Sequence, residues 1–260
     1  MTIVSRRRSS RSACGIESAA VAGVIVIPAR YASTRFPGKP LALISGVSLI
    51  QRVYERAAQS QRASAVFVAT DDDRIADHVR SFGGQVVMPQ GDFQSGSDRI
   101  AASLPLLGEP YESVVNVQGD EPLIDVTLID KIFVTLEMPG VDMATLSCPI
   151  ESDEEFLSPD VVKVVTAVDG DALFFSRAPI PFGSRSIAQR HIGLYGYRTA
   201  VIRALAMLPP SPLERAESLE QLRALQNGFK IRVVQTDKLH LGVDRPEDVA
   251  KVESELAKHA

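Results

Sequence analysis

Hydrophobic residues fall into two rhythms along this chain. Val24-Ile25-Val26-Ile27 is an unbroken β-branched run ended by Pro28, the pattern of a short strand buried on both faces of a parallel sheet. Within 48–61, Leu49, Ile50, Val53, Ala57 and Ala58 recur at helical spacing. Residues 65–70 read as a strand, Asp71-Asp72-Asp73 as the cap of a helix over 74–82, and Gly83-Gly84 as its stop. A third strand at 85–88 is closed by Pro89. After a loop over 90–96, Ser97 or Asp98 opens a helix reaching about 107. Residues 113–117 form a fourth strand and 126–136 a helix. This alternation predicts an α/β fold with a doubly wound, mostly parallel sheet.

The pattern after residue 140 is more mixed. Strands are expected over 143–150, 161–168, 172–175 and 191–197, the last with Tyr195 and Tyr197 on one side. A Gly/Pro/Ser-rich connection covers 179–186. Helices are expected over 200–207, 213–226 and 246–257, with a strand at 231–234 between the last two. No repeat and no linker between full domains is visible, so 24–260 is read as a single domain. A small subdomain in its second half is expected to carry a dimer interface. Residues 1–23 stand apart: Arg6, Arg7, Arg8 and Arg11 lie among serines, without the apolar core of a signal peptide. That segment reads as a disordered tail or an upstream mis-assigned start, and its Arg and Ser content also fits a transit peptide.

Composition narrows the function. The 260 residues are 45% hydrophobic and 23% charged, which is ordinary globular usage. A net charge of −4 argues against a general nucleic-acid binder, and no apolar run is long enough for membrane insertion. Cys14 and Cys148 match no metal-ligand spacing, which fits a reducing, cytoplasmic setting.

The chemistry clusters just past the predicted strands. Beyond Pro28, a loop holds Arg30, Ser33, Thr34, Arg35 and Lys39, stiffened by Pro37 and Pro40. Cations beyond a buried strand make an anion cradle in the crevice where α/β sheets bind ligands, although a solvated basic loop has the same composition. Asp120, in the turn Gln118-Gly119-Asp120, reads as a Mg²⁺ ligand or as a turn aspartate. Asp244, before Pro246, reads as a ligand or as a helix N-cap. The stretch Gln94-Ser95-Gly96-Ser97-Asp98-Arg99 is a weak phosphate- or base-binding pattern. Glu214, Glu217 and Gln221 share a helix face, with Glu220 adjoining it. Neither the Walker-type motif nor the dinucleotide glycine motif is present.

Taken together, the motifs Ile-Pro-Ala-Arg-Tyr-Ala-Ser-Thr-Arg-Phe-Pro-Gly-Lys-Pro (27–40), Ala-Thr-Asp (69–71), Val-Asn-Val-Gln-Gly-Asp-Glu-Pro (115–122), Phe-Ser-Arg-Ala (175–178), Arg-His-Ile-Gly-Leu-Tyr-Gly-Tyr-Arg (190–198), Ser-Pro-Leu-Glu (211–214), Leu-Glu-Gln-Leu-Arg (219–223) and Gly-Val-Asp-Arg-Pro-Glu-Asp (242–248) closely resemble the 3-deoxy-manno-octulosonate (Kdo) cytidylyltransferase family. They occur in the family's order and span nearly everything from Val24 onward. Ser97 and Asp98 stand where the family carries Thr and Glu, and the segment between Ala178 and Arg190 looks shorter than in some relatives.

The resemblance implies a nucleotide-diphospho-sugar transferase-like fold and a dimer. It also implies Mg²⁺-dependent transfer of CMP from CTP to the anomeric hydroxyl of Kdo, for lipopolysaccharide synthesis. Arg30 and Lys39, with Asp120, would be catalytic; Ser33, Thr34, Arg35, Gln94, Ser97 and Arg99 would complete the nucleotide site. Asp120 and Asp244 would ligate the metal. Gln118, Arg177, His191, Tyr195, Glu220 and Gln221 would form the sugar-acid pocket, with Arg177 or His191 meeting the carboxylate. Alternatives are activation of 8-amino-Kdo or sialic acid, and a non-catalytic nucleotide-sugar binder.

Overall fold

The computed structural model describes residues 23–32, 36–93, 95–237 and 242–258. The expectations for Ser33, Thr34, Arg35, Gln94, Cys14 and nearly all of the 1–23 segment lie outside the described residues. The β-branched run falls in β1 (Gly23–Pro28), where all four side chains are fully buried. Ile25 and Ile27 enter one core with Leu49, Val53, Ile129 and Ile132, while Val24 and Val26 enter the opposite one with Ile100, Val114 and Ile202. The two-residue period of a strand thus forces helices onto both faces of the sheet.

After β1 come β2 (Leu43–Ile44), β3 (Val47–Ser48), α1 (Leu49–Ala57), β4 (Ala63–Ala69), α2 (Asp73–Ser81), β5 (Gln85–Val87), α3 (Gly96–Ser103), β6 (Ser113–Asn116) and α4 (Val126–Glu137). The second half adds β7 (Met143–Pro149), α5 (Asp153–Leu157), β8 (Lys163–Thr166), β9 (Ala172–Ser176), β10 (Gln189–Arg198) and α6 (Thr199–Ala206). It ends with α7 (Pro212–Glu217), α8 (Gln221–Gln226), β11 (Ile231–Gln235) and α9 (Pro246–Lys258).

The main sheet has the order β11-β7-β10-β6-β1-β4-β5, and β8 and β9 join it beside β10. Only β10 runs against its neighbours β6 and β7; the other pairs along that order are parallel. The expected doubly wound, mostly parallel sheet is what the chain forms. α4 lies so close to β10 that a Cβ on Gly196 would overlap the Ile132 side chain.

One edge of β10 changes partner. Opposite β7, it pairs with β8 at Gln189 and Arg190 but with β6 over Tyr195–Arg198. Residues 191–194 of that edge therefore face the space beyond the carboxyl end of β6, the side of an α/β sheet where ligands bind.

Several expected elements differ. α3 begins at Gly96 with Ser95 as its N-cap, because the Ser95 hydroxyl accepts the Asp98 N–H at 3.1 Å. It stops at Ser103 and continues as a 3-10 turn, since Pro105 lacks the N–H an α-helix would use. The helix expected over 213–226 is two helices. Ser218, with φ of 54°, turns the chain left-handed between α7 and α8. The hairpin β2–β3 turns on Ser45 and Gly46, both at positive φ. That hairpin and α5, capped by Ser152, are too short to show a period in sequence.

Candidate active site

The anion cradle begins where β1 ends. Gly119 approaches so closely that a Cβ there would lie 3.0 Å from the Pro28 carbonyl oxygen, a tight contact that glycine avoids. Tyr31 is held from both sides. Its carbonyl accepts the Gly38 N–H, and the Arg74 guanidinium stacks 3.3 Å from its ring centroid. Asp72 grips Arg74 with both carboxylate oxygens, at 2.9 and 2.6 Å, and its own pKa is lowered chiefly by that bond.

Lys39 follows Gly38, whose φ of 71° turns the chain inward. Its ammonium donates to Asp120 Oδ2 at 2.7 Å and lies 3.9 Å from Asp244 Oδ1. The Val243 N–H donates to the Asp120 carbonyl at 2.8 Å, which brings the two aspartates to one place from opposite ends of the chain. At the start of α9, the carboxylate that accepts the N–H groups of Asp244 and Arg245 belongs to Asp248. Two carboxylates are hard oxygen donors, and no cluster of three or more potential metal-ligating side chains occurs among the described residues. Such a pair suits Mg²⁺, which keeps waters and substrate phosphate oxygens in its remaining positions.

Two cavities adjoin this crevice. The smaller, about 200 Å³, lies between the end of β1 and α3 and is bordered by Arg30, Phe93, Ser95, Arg99 and Gln118. Arg99 is 5% exposed; Nη2 donates to Asp71 at 3.0 Å, while Nη1 is buried with no partner among the described residues. A buried guanidinium N–H left unmade is costly, so this cavity is built to receive an acceptor.

The larger cavity, about 240 Å³, has a polar wall of Ser97, Asn116, Gln118, Tyr195, Glu220 and Gln221 and an apolar one of Met143, Ile202 and Leu205. Burial raises the pKa of both Tyr195 and Tyr197, keeping the phenols neutral. Burial also raises Glu220, opposed by a hydrogen bond from Ser95. Gln118 and Gly96 border both cavities.

The structure therefore brings Arg30, Arg99 and Gln118 to the small cavity, Lys39, Asp120 and Asp244 to one ionic cluster, and Gln118, Tyr195, Glu220 and Gln221 to the larger cavity. Ser97, expected beside the nucleotide, instead borders the larger cavity, 3.3 Å from the Tyr197 hydroxyl. His191 and Arg177 border neither. His191 bonds Thr145 Oγ1 at 3.0 Å and meets Phe175 edge-on, and burial drives its pKa down to about 3. The ring is neutral at physiological pH and brings no positive charge to a carboxylate. Arg177 spends its donors on the carbonyls of Glu217 and Pro159, each at 2.9 Å.

Sequence reasoning puts Asp71 in a helix cap, which is Asp72 alone, and Glu214 on one helix face with Gln221, which the break at Ser218 divides; it gives no site role to these two or to Asn116, Tyr197 and Arg223. Asn116 had a signal, a polar residue inside an apolar strand. Arg223 donates to both oxygens of Glu214, at 2.9 and 2.5 Å, and so fixes α8 against α7. Glu217 does the same toward β9, accepting from Ser176 Oγ at 2.7 Å and Arg177 N at 2.9 Å.

Residues 24–231 match the cytidylyltransferase family. The 3-deoxy-manno-octulosonate cytidylyltransferase of Syntrophotalea carbinolica is 53% identical over 245 residues, 89% of this chain and 97% of that protein. That of Geobacter sulfurreducens is 50% identical over 246 residues, 89% of this chain and 98% of that protein. A solved CMP:2-keto-3-deoxy-manno-octonic acid synthetase complexed with CTP superposes with a TM-score of 0.87 at 40% identity, over 92% of this chain and all of the other. A cytidylyltransferase from Leptospira borgpetersenii, 17% identical with a TM-score of 0.61 over 92% of this chain and 87% of that one, shares the fold. With the ionic cluster and paired cavities at the carboxyl edge of the sheet, these matches establish that the chain belongs to the cytidylyltransferase family, among the 3-deoxy-manno-octulosonate cytidylyltransferases.

Proposed function

We propose that this enzyme transfers CMP from CTP to the anomeric hydroxyl of Kdo and releases pyrophosphate. The observation that carries the reading is the pair of cavities, one bordered by Arg30 and Arg99 and one by hydroxyl and amide groups around Glu220, that share Gln118 beside the Lys39–Asp120–Asp244 cluster. CTP occupies the smaller cavity with its phosphates toward Arg30 and Lys39; the sugar acid occupies the larger. The sugar hydroxyl attacks the α-phosphorus as the bond to the bridging oxygen breaks; its proton passes to solvent and pyrophosphate departs. Arg30 and Lys39 stabilise charge on the departing pyrophosphate, a reaction that needs positioning and charge neutralisation more than acid–base groups. Asp120 and Asp244 would hold Mg²⁺, which when bound supplies Lewis-acid stabilisation at the phosphates. The apolar wall of Met143, Ile202 and Leu205 keeps water from competing with the sugar hydroxyl.

Pyrophosphate release with CTP and a panel of Kdo, 8-amino-Kdo and sialic acid tests the reading. Turnover with Kdo is expected, and turnover with sialic acid alone refutes it. We assign the product to lipopolysaccharide core synthesis in the cytoplasm; among the described residues no helix is long and apolar enough to cross a membrane. A homodimer is the expected assembly. The flank where Arg185 ties its loop to Asp153 exposes Leu157 (65%), Phe182 (101%) and Ile187 (67%), an apolar surface suited to a second copy. Sedimentation showing only monomer at micromolar concentration refutes the dimer.

A further inference from the structure

The Ser95 hydroxyl makes two hydrogen bonds with different consequences. It accepts the Asp98 N–H at 3.1 Å, which caps α3, and it donates to Glu220 Oε1 at 3.1 Å, which ties α3 to the start of α8. The partners are 125 residues apart and border different cavities, Ser95 the smaller and Glu220 the larger. The first turn of α3 also rests on the end of β1: a Cβ on Gly96 would lie 3.4 Å from Pro28 Cγ. A ligand beside Arg30 and Arg99 therefore presses on the same turn from which Ser95 reaches Glu220. Burial disfavours the charged form of Glu220, and the Ser95 bond is the leading interaction that favours it, ahead of the Arg223 charge and the Ser97 hydroxyl.

Resting on the assignment of CTP and Kdo to the two cavities, we propose that Ser95 is a positioning residue that couples the two substrates. Nucleotide bound in the smaller cavity fixes the first turn of α3, and the Ser95–Glu220 bond carries that order to the carboxylate facing the sugar acid. Coupling between sites is reciprocal, so Kdo must tighten nucleotide by the same factor. The link is a hydrogen bond to a buried carboxyl group, of the size that carries a coupling of about tenfold.

The test is calorimetric titration of Kdo into the full chain with Mg²⁺, with and without a saturating CTP analogue bearing a methylene bridge between the α- and β-phosphorus. Wild-type protein is expected to bind Kdo about tenfold more tightly with the analogue, a typical coupling. Ser95→Gly removes the hydroxyl yet leaves a good N-cap residue; the lost donor to buried Glu220 should lower the melting temperature modestly without unfolding the protein, while the coupling factor falls below about twofold, a collapse of the ordinary coupling range. Ser95→Thr keeps the hydroxyl and should keep the coupling. Wild-type coupling in Ser95→Gly, no coupling in wild-type protein, or loss of coupling in Ser95→Thr each overturns the proposal. Wild-type protein that binds neither ligand overturns instead the functional assignment beneath it.

Discussion

The two sides of the site solve opposite electrostatic problems. At the ionic cluster the Lys39, Asp120 and Asp244 side chains keep 16%, 31% and 56% of their surface, so the charges stay in contact with water. At the larger cavity Tyr195 and Tyr197 are desolvated and held neutral. A triphosphate brings more charge than a dry site could neutralise, and wet cations lose little on meeting it. A sugar with many hydroxyls is better read by neutral donors and acceptors in a low dielectric, where each hydrogen bond is stronger and each mismatch costlier. Arg223, which borders that cavity, is paired with Glu214, the two side chains being 9% and 12% exposed. Elsewhere Lys163, fully buried, gives its ammonium to the carbonyls of Ser158, Val161 and Arg177.

The sharpest break of this contrast is at Asp120. Asp120→Asn should lower turnover by at least about a thousandfold, since the metal it would hold supplies several kcal/mol of charge stabilisation. Asp244→Asn should do likewise, because Asp248 supplies the carboxylate that accepts the first N–H groups of α9. Stopped assays at saturating Mg²⁺ measure both, and near-normal turnover in either removes that residue from the cluster. Melting temperatures should move little, as befits exposed charges.

The dry side should respond in stability. Arg223→Met leaves Glu214 buried and unpaired, which should cost about 3–5 kcal/mol in denaturant unfolding, with much of the loss recovered in Glu214→Leu/Arg223→Met. A loss below about 1 kcal/mol would put this pair in the class of ordinary surface ion pairs. Gly196→Ala, forced onto Ile132 and Leu136, should cost about 1–3 kcal/mol of unfolding free energy, whereas a neutral result would show that α4 shifts freely.

The smallest effect is the dependence on pH. His191 titrates near 6.5 when unfolded but near 3 when folded, so its contribution is complete above about 6.5 and lost as pH falls toward 3. Between pH 7.5 and 6 the loss should be about 0.8 kcal/mol. His191→Gln should flatten that part of the curve; an unchanged slope would show that His191 is not held neutral.

Local pattern made the first half of the fold legible in sequence. A run of four β-branched residues closed by proline can only be a short buried strand, and the amphipathic spacing of α1 and α4 needs a sheet to cover. The cations past Pro28, and the aspartates after β6 and before α9, were legible as site residues because the ends of parallel strands converge on one crevice. Other features depended on contacts far apart in the chain. That Ser95, not Ser97, starts α3 follows from which hydroxyl reaches an unpaired N–H. The break between α7 and α8 is set by Glu217 bonding Ser176 and Arg177, some 40 residues earlier. Arg177 and His191 carry the right residue types for an anion, yet tertiary packing gives one to backbone carbonyls and strips the other of its proton. The sequence by itself determined which residues carry charge and where strands end, because those depend on side-chain chemistry and local periodicity. Which charges stay wet, which are neutralised and which two cavities share a wall was decided only by the folded chain, because desolvation and pairing are properties of neighbours that the sequence keeps a hundred residues apart.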